Sequence, residues 1–256
     1  MGCKMKEKNT TVIKAMEILS LFKTNKSLSL PQLNKLTSMP KTTVYRMVLS
    51  LEETGFLKKN HHGEYELGLG FLQYGQLVKE RLDIRKAAIP IMRQLKDELG
   101  EAVNLIVREH HEAIYIEKIE TDKPVRVFTG IGRSAPLYAG ACPRVLLAFL
   151  PEEVRDHYIE TTTLQPIASG TITDKKVLRK MLAETRSKGY TVSHSELHDD
   201  SSAIAAPIFG HDDQIFAGLS IVGPENRFRN PDKITHLKER VKQATDEISK
   251  SIGWNG

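Results

Sequence analysis

The chain has 256 residues, of which 40% are apolar and 27% charged, with a net charge of +5. That composition supports a buried core and excludes a disordered or fibrous chain. The longest apolar run, 145–150, is too short for a membrane span, and MGCKMKEKN has no apolar stretch after its lysines, so no secretory signal is expected.

Gly2 invites a myristoylation reading, but Lys6 stands where that pattern needs Ser or Thr. Cys3 and Cys142 are the only cysteines, and Cys3 lies in an expected tail. A disulfide framework is therefore not expected, and a reducing cytoplasm fits. The charge is unevenly spread. The first 60 residues carry eleven of the 37 Lys and Arg and four of the 32 Asp and Glu, which leaves +7 there and −2 in the remainder. A basic unit ahead of a nearly neutral body points to a polyanion partner.

In chain order, residues 10–23 read as an amphipathic helix with Val12, Met16, Leu19 and Phe22 on one side. A second helix starts near Ser29, with Pro31 in its first turn and Gln32 placed for a capping box; Leu30, Leu33 and Leu36 form its buried face. After the turn 37–40, a third helix covers 41–54 and buries Val44, Met47, Val48 and Leu51. Gly55 ends it. Phe56-Leu57 and 65–67 are short strands around the polar turn 60–63. Three helices and a two-stranded ribbon make the winged helix-turn-helix plan.

Helical periodicity resumes over 71–99, where Pro90 should kink or divide the helix. The body then mixes strands and helices. A hairpin is expected around 109–112, a strand at 125–128, and a Gly/Pro-rich loop at 130–143 before a short helix 144–150. Asp174 caps a helix that ends before Gly189. Strands follow at 190–192, 203–209 and 214–222. A last helix opens on Asn230 and Pro231, with Ile234, Leu237, Val241, Ala244 and Ile248 on one side. Hairpins flanked by helices imply an α+β class.

The buried face of the third helix turns Lys41, Thr42, Thr43, Tyr45, Arg46 and Ser50 outward. Hydroxyls, cations and a helix N-terminus suit phosphate oxygens, and Arg46 can reach a base edge. The segments TVIKAMEILSLF, SLSLPQLNKLTSMPKTTVYRMVLSLEETGFL and YELGLGFL, then GIGRSAPLYAGACPRVLLAFLP, RSKGYTVSHSEL, AAPIF and AGLSIVGPENRF, resemble the IclR family of bacterial transcription regulators over about residues 10–252.

The resemblance implies a winged helix-turn-helix at 9–71, then a linker helix and a GAF-like effector-binding domain at 72–256. It implies a ligand-responsive regulator, read here as a repressor of catabolic genes, that binds a near-palindromic DNA operator as a homodimer or homotetramer. Carried over residue by residue, the DNA-reading positions are Lys41, Thr42, Thr43, Tyr45 and Arg46. Ser38 stands where the family often has glycine, which implies a reshaped turn.

The effector site implied by the resemblance lies between 132–142, 193–203 and 220–222. It uses backbone N–H groups of Ala141 and Cys142 and the positions of Ser193, Ala203, Ser220 and Val222. Tyr138 replaces the family's common His; Arg133 on the same loop reads either as an anion partner or as a solvated surface Arg. Ala203 and Val222 are apolar here, and Pro143 removes a donor. These departures point to an effector different from, and larger or less polar than, a keto acid.

Other chemistries have weaker footing. Cys142 could be a thiolate nucleophile of a hydrolase, with His194 or His198 as base, but no triad spacing accompanies it. His194 and His198 could also face a metal if their segment were helical. A ligand-sensing module acting on a protein partner fits the basic N-terminal unit less well. No phosphate-loop or dinucleotide motif is present, so no cofactor is expected.

Overall fold

A computed structural model describes residues 9–255; the readings made on Gly2, Cys3 and Lys6 lie outside it. The chain divides into two compact units, one through Arg81 and one from Leu82.

In the first unit, α1 (Thr10–Ser20) runs into a 3-10 turn (Leu21–Lys23), followed by α2 (Leu30–Leu36), α3 (Lys41–Glu53), β1 (Leu57–Lys59), β2 (Tyr65–Leu67) and α4 (Gly70–Arg81). Asn9 Oδ1 caps α1 by accepting from the N–H groups of Thr11 and Val12 at 3.0 and 3.3 Å. The expected capping box closes α2, where the Ser29 N–H donates to Gln32 Oε1 at 2.7 Å. Ser38 is not among the described residues with positive φ, so the turn before α3 is made without a left-handed residue. Antiparallel β1 and β2 pair Leu57 with Leu67 and Lys59 with Tyr65, forming the wing.

The core gathers Ile18, Leu19, Phe22, Leu33, Val44, Val48, Leu57 and Tyr65. The expected inner face of α1 was partly wrong, because Val12 and Met16 are 58% and 57% exposed. This helix is apolar on nearly every side, and packing selects Ile18 over the neighbouring stripe. Leu36 is likewise exposed rather than buried, as it sits on the last turn of α2. Gly68 has to be glycine, since a Cβ there would lie 2.1 Å from the Gly55 carbonyl oxygen.

The second unit contains α5 (Asp83–Leu99), β3 (Ala102–Glu109), β4 (Glu112–Ile119), β5 (Ser134–Pro136), α6 (Ala141–Phe149), α7 (Glu152–Thr161), α8 (Lys175–Lys188), β6 (Thr191–His194), β7 (Ser201–Phe209), β8 (Ile215–Pro224) and α9 (Pro231–Ser251). Its six strands run in the order β5-β4-β3-β8-β7-β6 and every neighbouring pair is antiparallel. One face carries Leu105, Ile204, Leu219 and Ile221 against Met92 and Leu95 of α5 and Leu237, Val241 and Ile248 of α9. The other face carries Ile106, Tyr115 and Ala205 against Leu146 and Leu147 of α6 and Leu178 and Leu182 of α8. The result is a three-layer α+β unit.

Both ends of α8 match the sequence reading. Asp174 accepts from the N–H groups of Lys176 and Val177, and Gly189 closes the helix at φ 73°. Three readings need correction. The helical stretch 71–99 breaks at Leu82, where ψ is 87°, and not at Pro90, which stays inside α5. The buried stripe Ile84, Ala88, Met92, Leu95 and Leu99 continues past the proline and holds the helix together. Residues 125–128 form no strand. Their segment is an irregular strap, with the Val125 carbonyl accepting from Arg227 Nη2 at 2.9 Å instead of from a neighbouring strand. Finally, α6 starts at Ala141, three residues before the expected start, and α7 was not anticipated.

Near the C-terminus Trp254, the chain's single tryptophan, lies 5.4 Å from the Phe209 ring and donates to Asp213 Oδ1 at 2.8 Å.

Candidate functional site: an exposed helix face and a small cavity

The buried pair Val44 and Val48 fixes the rotation of α3 about its axis. Lys41, Thr42, Tyr45 and Arg46 are consequently exposed, Thr43 is half-buried, and Tyr45 is 49% accessible. All five lie in the first two turns, and the first turn holds no acidic residue to oppose an incoming phosphate. The wing presents Lys58, Lys59 and the exposed pair His61 and His62, whose rings lie 3.9 Å apart.

In the second unit, a small cavity of about 40 Å³ lies between the N-terminus of α6, the sheet and the strap. That is room for roughly three waters. Of the residues expected at an effector site, Ala141, Cys142, Ser193, Ala203, Ser220 and Val222 line it together. Arg133 and Tyr138 are not in its wall. Arg133 is exposed, with Nη1 2.6 Å from His198 Nε2. Tyr138 is buried elsewhere, where its hydroxyl donates to the Gln165 carbonyl at 2.9 Å.

The cavity also holds residues that sequence reasoning missed: Asn104, Tyr115, Thr129 and Glu196. Glu196 is 6% exposed and Arg144 fully buried, and the two pair directly. Arg144 Nη1 donates to Glu196 Oε1 at 2.6 Å, and Nη2 donates to the Val192 carbonyl at 2.6 Å. Glu196 Oε2 accepts the Gly140 N–H at 2.8 Å, so it ties down the start of α6. One signal was available. An arginine opening the apolar run VLLAFL on a buried helix has to find a carboxylate.

Burial pushes the Cys142 thiol up to about 12, with Ser220 hydrogen-bonded to it. A thiol so protonated and enclosed is a poor nucleophile. His194 and His198 do not converge. The His194 ring meets Ser202 Oγ at 2.7 Å while the His198 ring meets Arg133. Among the described residues no group of three or more ligating side chains is found. A wider trough of about 730 Å³ runs between α7, α8 and β7. Its arginines are already engaged: Arg179 with Asp156 and Glu160, Arg155 with Glu152 and Asp156, and Arg186 with the Ala148 and Leu150 carbonyls.

The model of the IclR helix-turn-helix domain matches residues 11–61, and that of the bacterial transcriptional regulator IclR C-terminal domain matches residues 76–250. The chain belongs to the IclR family of bacterial transcription regulators. It is 53% identical to the HTH-type transcriptional regulator KipR of Bacillus subtilis (strain 168) over 250 residues, 98% of this chain and 100% of that one. The crystal structure of Thermotoga maritima IclR superposes with a TM-score of 0.75 at 30% identity, covering 96% of this chain and 99% of that one. An IclR homologue from Microbacterium hydrocarbonoxydans, solved in complex with 4-hydroxybenzoate, shares the fold with a TM-score of 0.80 at 23% identity over 94% and 98% of the two chains.

The IclR-family chain is therefore a DNA-binding transcription regulator and not an enzyme. No described helix is long and apolar enough to cross a membrane.

Proposed function

We propose that this IclR-family chain is a cytoplasmic, ligand-responsive repressor of catabolic genes that docks on a near-palindromic operator as a homodimer or homotetramer. One observation carries the docking mode: the exposed cation and hydroxyl set Lys41, Thr42, Tyr45 and Arg46, with Thr43 beside it, at the N-terminal end of α3. In this reading α3 enters a major groove, and the wing tip near His61 rests on the backbone. Two subunits then read half-sites about one helical turn (~34 Å) apart, or a multiple of it.

Self-association is supported by apolar surface left uncovered in the first unit. Val12, Ile13 and Met16 of α1 are exposed, as are Leu72, Tyr74, Leu77 and Val78 of α4, a helix with no buried residue. Surface of that kind is normally covered by a partner.

The small-molecule effector is assigned to the cavity lined by Ala141, Cys142, Ser193, Ala203, Ser220 and Val222, with Arg133 near the rim through His198. The relative that binds 4-hydroxybenzoate supports a ligand role for the family. Binding there alters operator affinity through α4 and α5, by no more than the ligand's preference for one state over the other.

Footprinting upstream of the neighbouring genes identifies the operator, and fluorescence anisotropy on that duplex then compares wild type with Arg46→Ala. The expected result is weaker binding with relaxed preference at one base pair. Unchanged affinity overturns the docking mode.

A further inference from the structure

We infer that Leu49, with Tyr45 beside it, is a specificity-determining residue on α3 that reads the 5-methyl group of a thymine in the operator's major groove. This rests on the docking mode proposed above and adds to it one apolar contact and the base that supplies it.

Geometry places Leu49 on the outer face of α3 and not in the core. Val44 and Val48 are fully buried, and Met47 and Leu51 pack beside them. At about 100° of turn per residue, the direction opposite those four falls within about 30° of both Thr42 and Leu49. Tyr45 and Arg46 precede Leu49 by four and three positions and flank it on either side, so the three side chains are surface neighbours. Leu49 is 40% exposed and Tyr45 49%, and neither is among the apolar residues packed on the core of this unit.

The surroundings select the occupant. Lys41 and Arg46 are exposed, and among the described residues neither is paired with a carboxylate. The Ser50 hydroxyl is spent on the Arg46 carbonyl at 3.0 Å. A leucine can neither donate nor accept, so it adds nothing to a phosphate or to a hydrogen-bonding base edge. A protein surface laid over it would also desolvate the neighbouring cations, at a cost unless acids met them. The major groove answers both needs: phosphates line its walls, and its floor carries one apolar group, the thymine methyl.

Spacing sets where that methyl lies. Leu49 stands three residues, or about 4.5 Å of helix rise, beyond Arg46, and base pairs follow one another at about 3.4 Å. With α3 lying along the groove, the methyl is about one or two base pairs from the base that Arg46 reads. One turn further on the same line, Glu53 is exposed and acidic and repels phosphate. The reading stretch therefore ends at Leu49.

Fluorescence anisotropy with the full chain on the footprinted operator, its thymines replaced one at a time by deoxyuridine, tests this. Deoxyuridine lacks only the 5-methyl group and keeps every hydrogen-bonding atom of the base. Wild type should bind about fourfold more weakly when one particular thymine of a half-site is replaced, the effect of one methyl no longer buried. That thymine should lie beside the base at which Arg46→Ala relaxes preference. Leu49→Ala should bind the thymine and deoxyuridine operators alike, while Leu49→Met, which keeps an apolar tip, should still discriminate. Urea midpoints establish that the variants fold, and if Leu49→Ala does not, Leu49→Gln takes its place. A half-site with no sensitive thymine, or undiminished discrimination in Leu49→Ala, overturns the inference. A changed oligomeric state in Leu49→Ala with discrimination intact assigns the leucine to a protein contact and overturns it too. Failure of the docking mode is read separately, as unchanged affinity in Arg46→Ala; no duplex binding by wild type sinks both.

Discussion

The two functional regions of this molecule are built differently. The surface proposed to read DNA comes from one helix, in which Val44 and Val48 point inward and Lys41, Thr42, Tyr45 and Arg46 must therefore point outward. The cavity comes from α6, five strands or their flanks, and the strap, and its polarity depends on an ion pair whose partners are 52 residues apart. A surface set by local periodicity tolerates substitution without unfolding. A cavity set by tertiary convergence does not separate ligand binding from folding so readily.

The sharpest way to break that contrast is Glu196→Ala, which strands the buried Arg144 guanidinium. A loss of about 3–5 kcal/mol in unfolding free energy is expected, read by urea denaturation. The double change Arg144→Met with Glu196→Leu should recover most of it. Next comes Arg46→Ala, expected to cost about 1–3 kcal/mol of operator binding with the urea midpoint unmoved; a shifted midpoint would show that α3 is not the independent surface described. Asp174→Ala removes the cap of α8 and should cost about 1 kcal/mol of stability, with DNA affinity unchanged.

The smallest effect concerns His198. Its folded value is lowered, so the unfolded chain takes up the proton first as pH falls through about 6.5. Stability should therefore decline below that pH and be fully present above it. The ring is only half-buried, so solvent screening leaves about a few tenths of a kcal/mol. Urea midpoints at pH 8 and pH 5.5 (about one unit below the ordinary value) for wild type and His198→Gln check the sign.

The same contrast governs what could be read from the amino acids. Capping residues act on their own neighbours, so Ser29, Asp174, Gly189 and Asn230 marked helix ends correctly. The face of α1 was misread because apolar residues surround that helix and only its packing partners choose between Ile18 and Val12 or Met16. The strap at 125–128 looks like a strand, yet the Val125 carbonyl is taken by Arg227 and the Thr129 carbonyl just past it by Lys118, side chains that no local pattern reveals. In the cavity, Ser193, Ser220, Ala141 and Cys142 followed from the family resemblance. Asn104 and Tyr115 sit between apolar neighbours on β3 and β4 and were hidden, since alternation reports which face a residue occupies but not what else reaches that face.

The position of Trp254 has a practical corollary. A lone indole packed on Phe209 and held by Asp213 is a fluorophore confined to one half of the chain. Its emission should follow melting of the C-terminal half alone, while an extrinsic label on the wing would follow the other. The stability of each half can then be titrated separately in a single intact polypeptide.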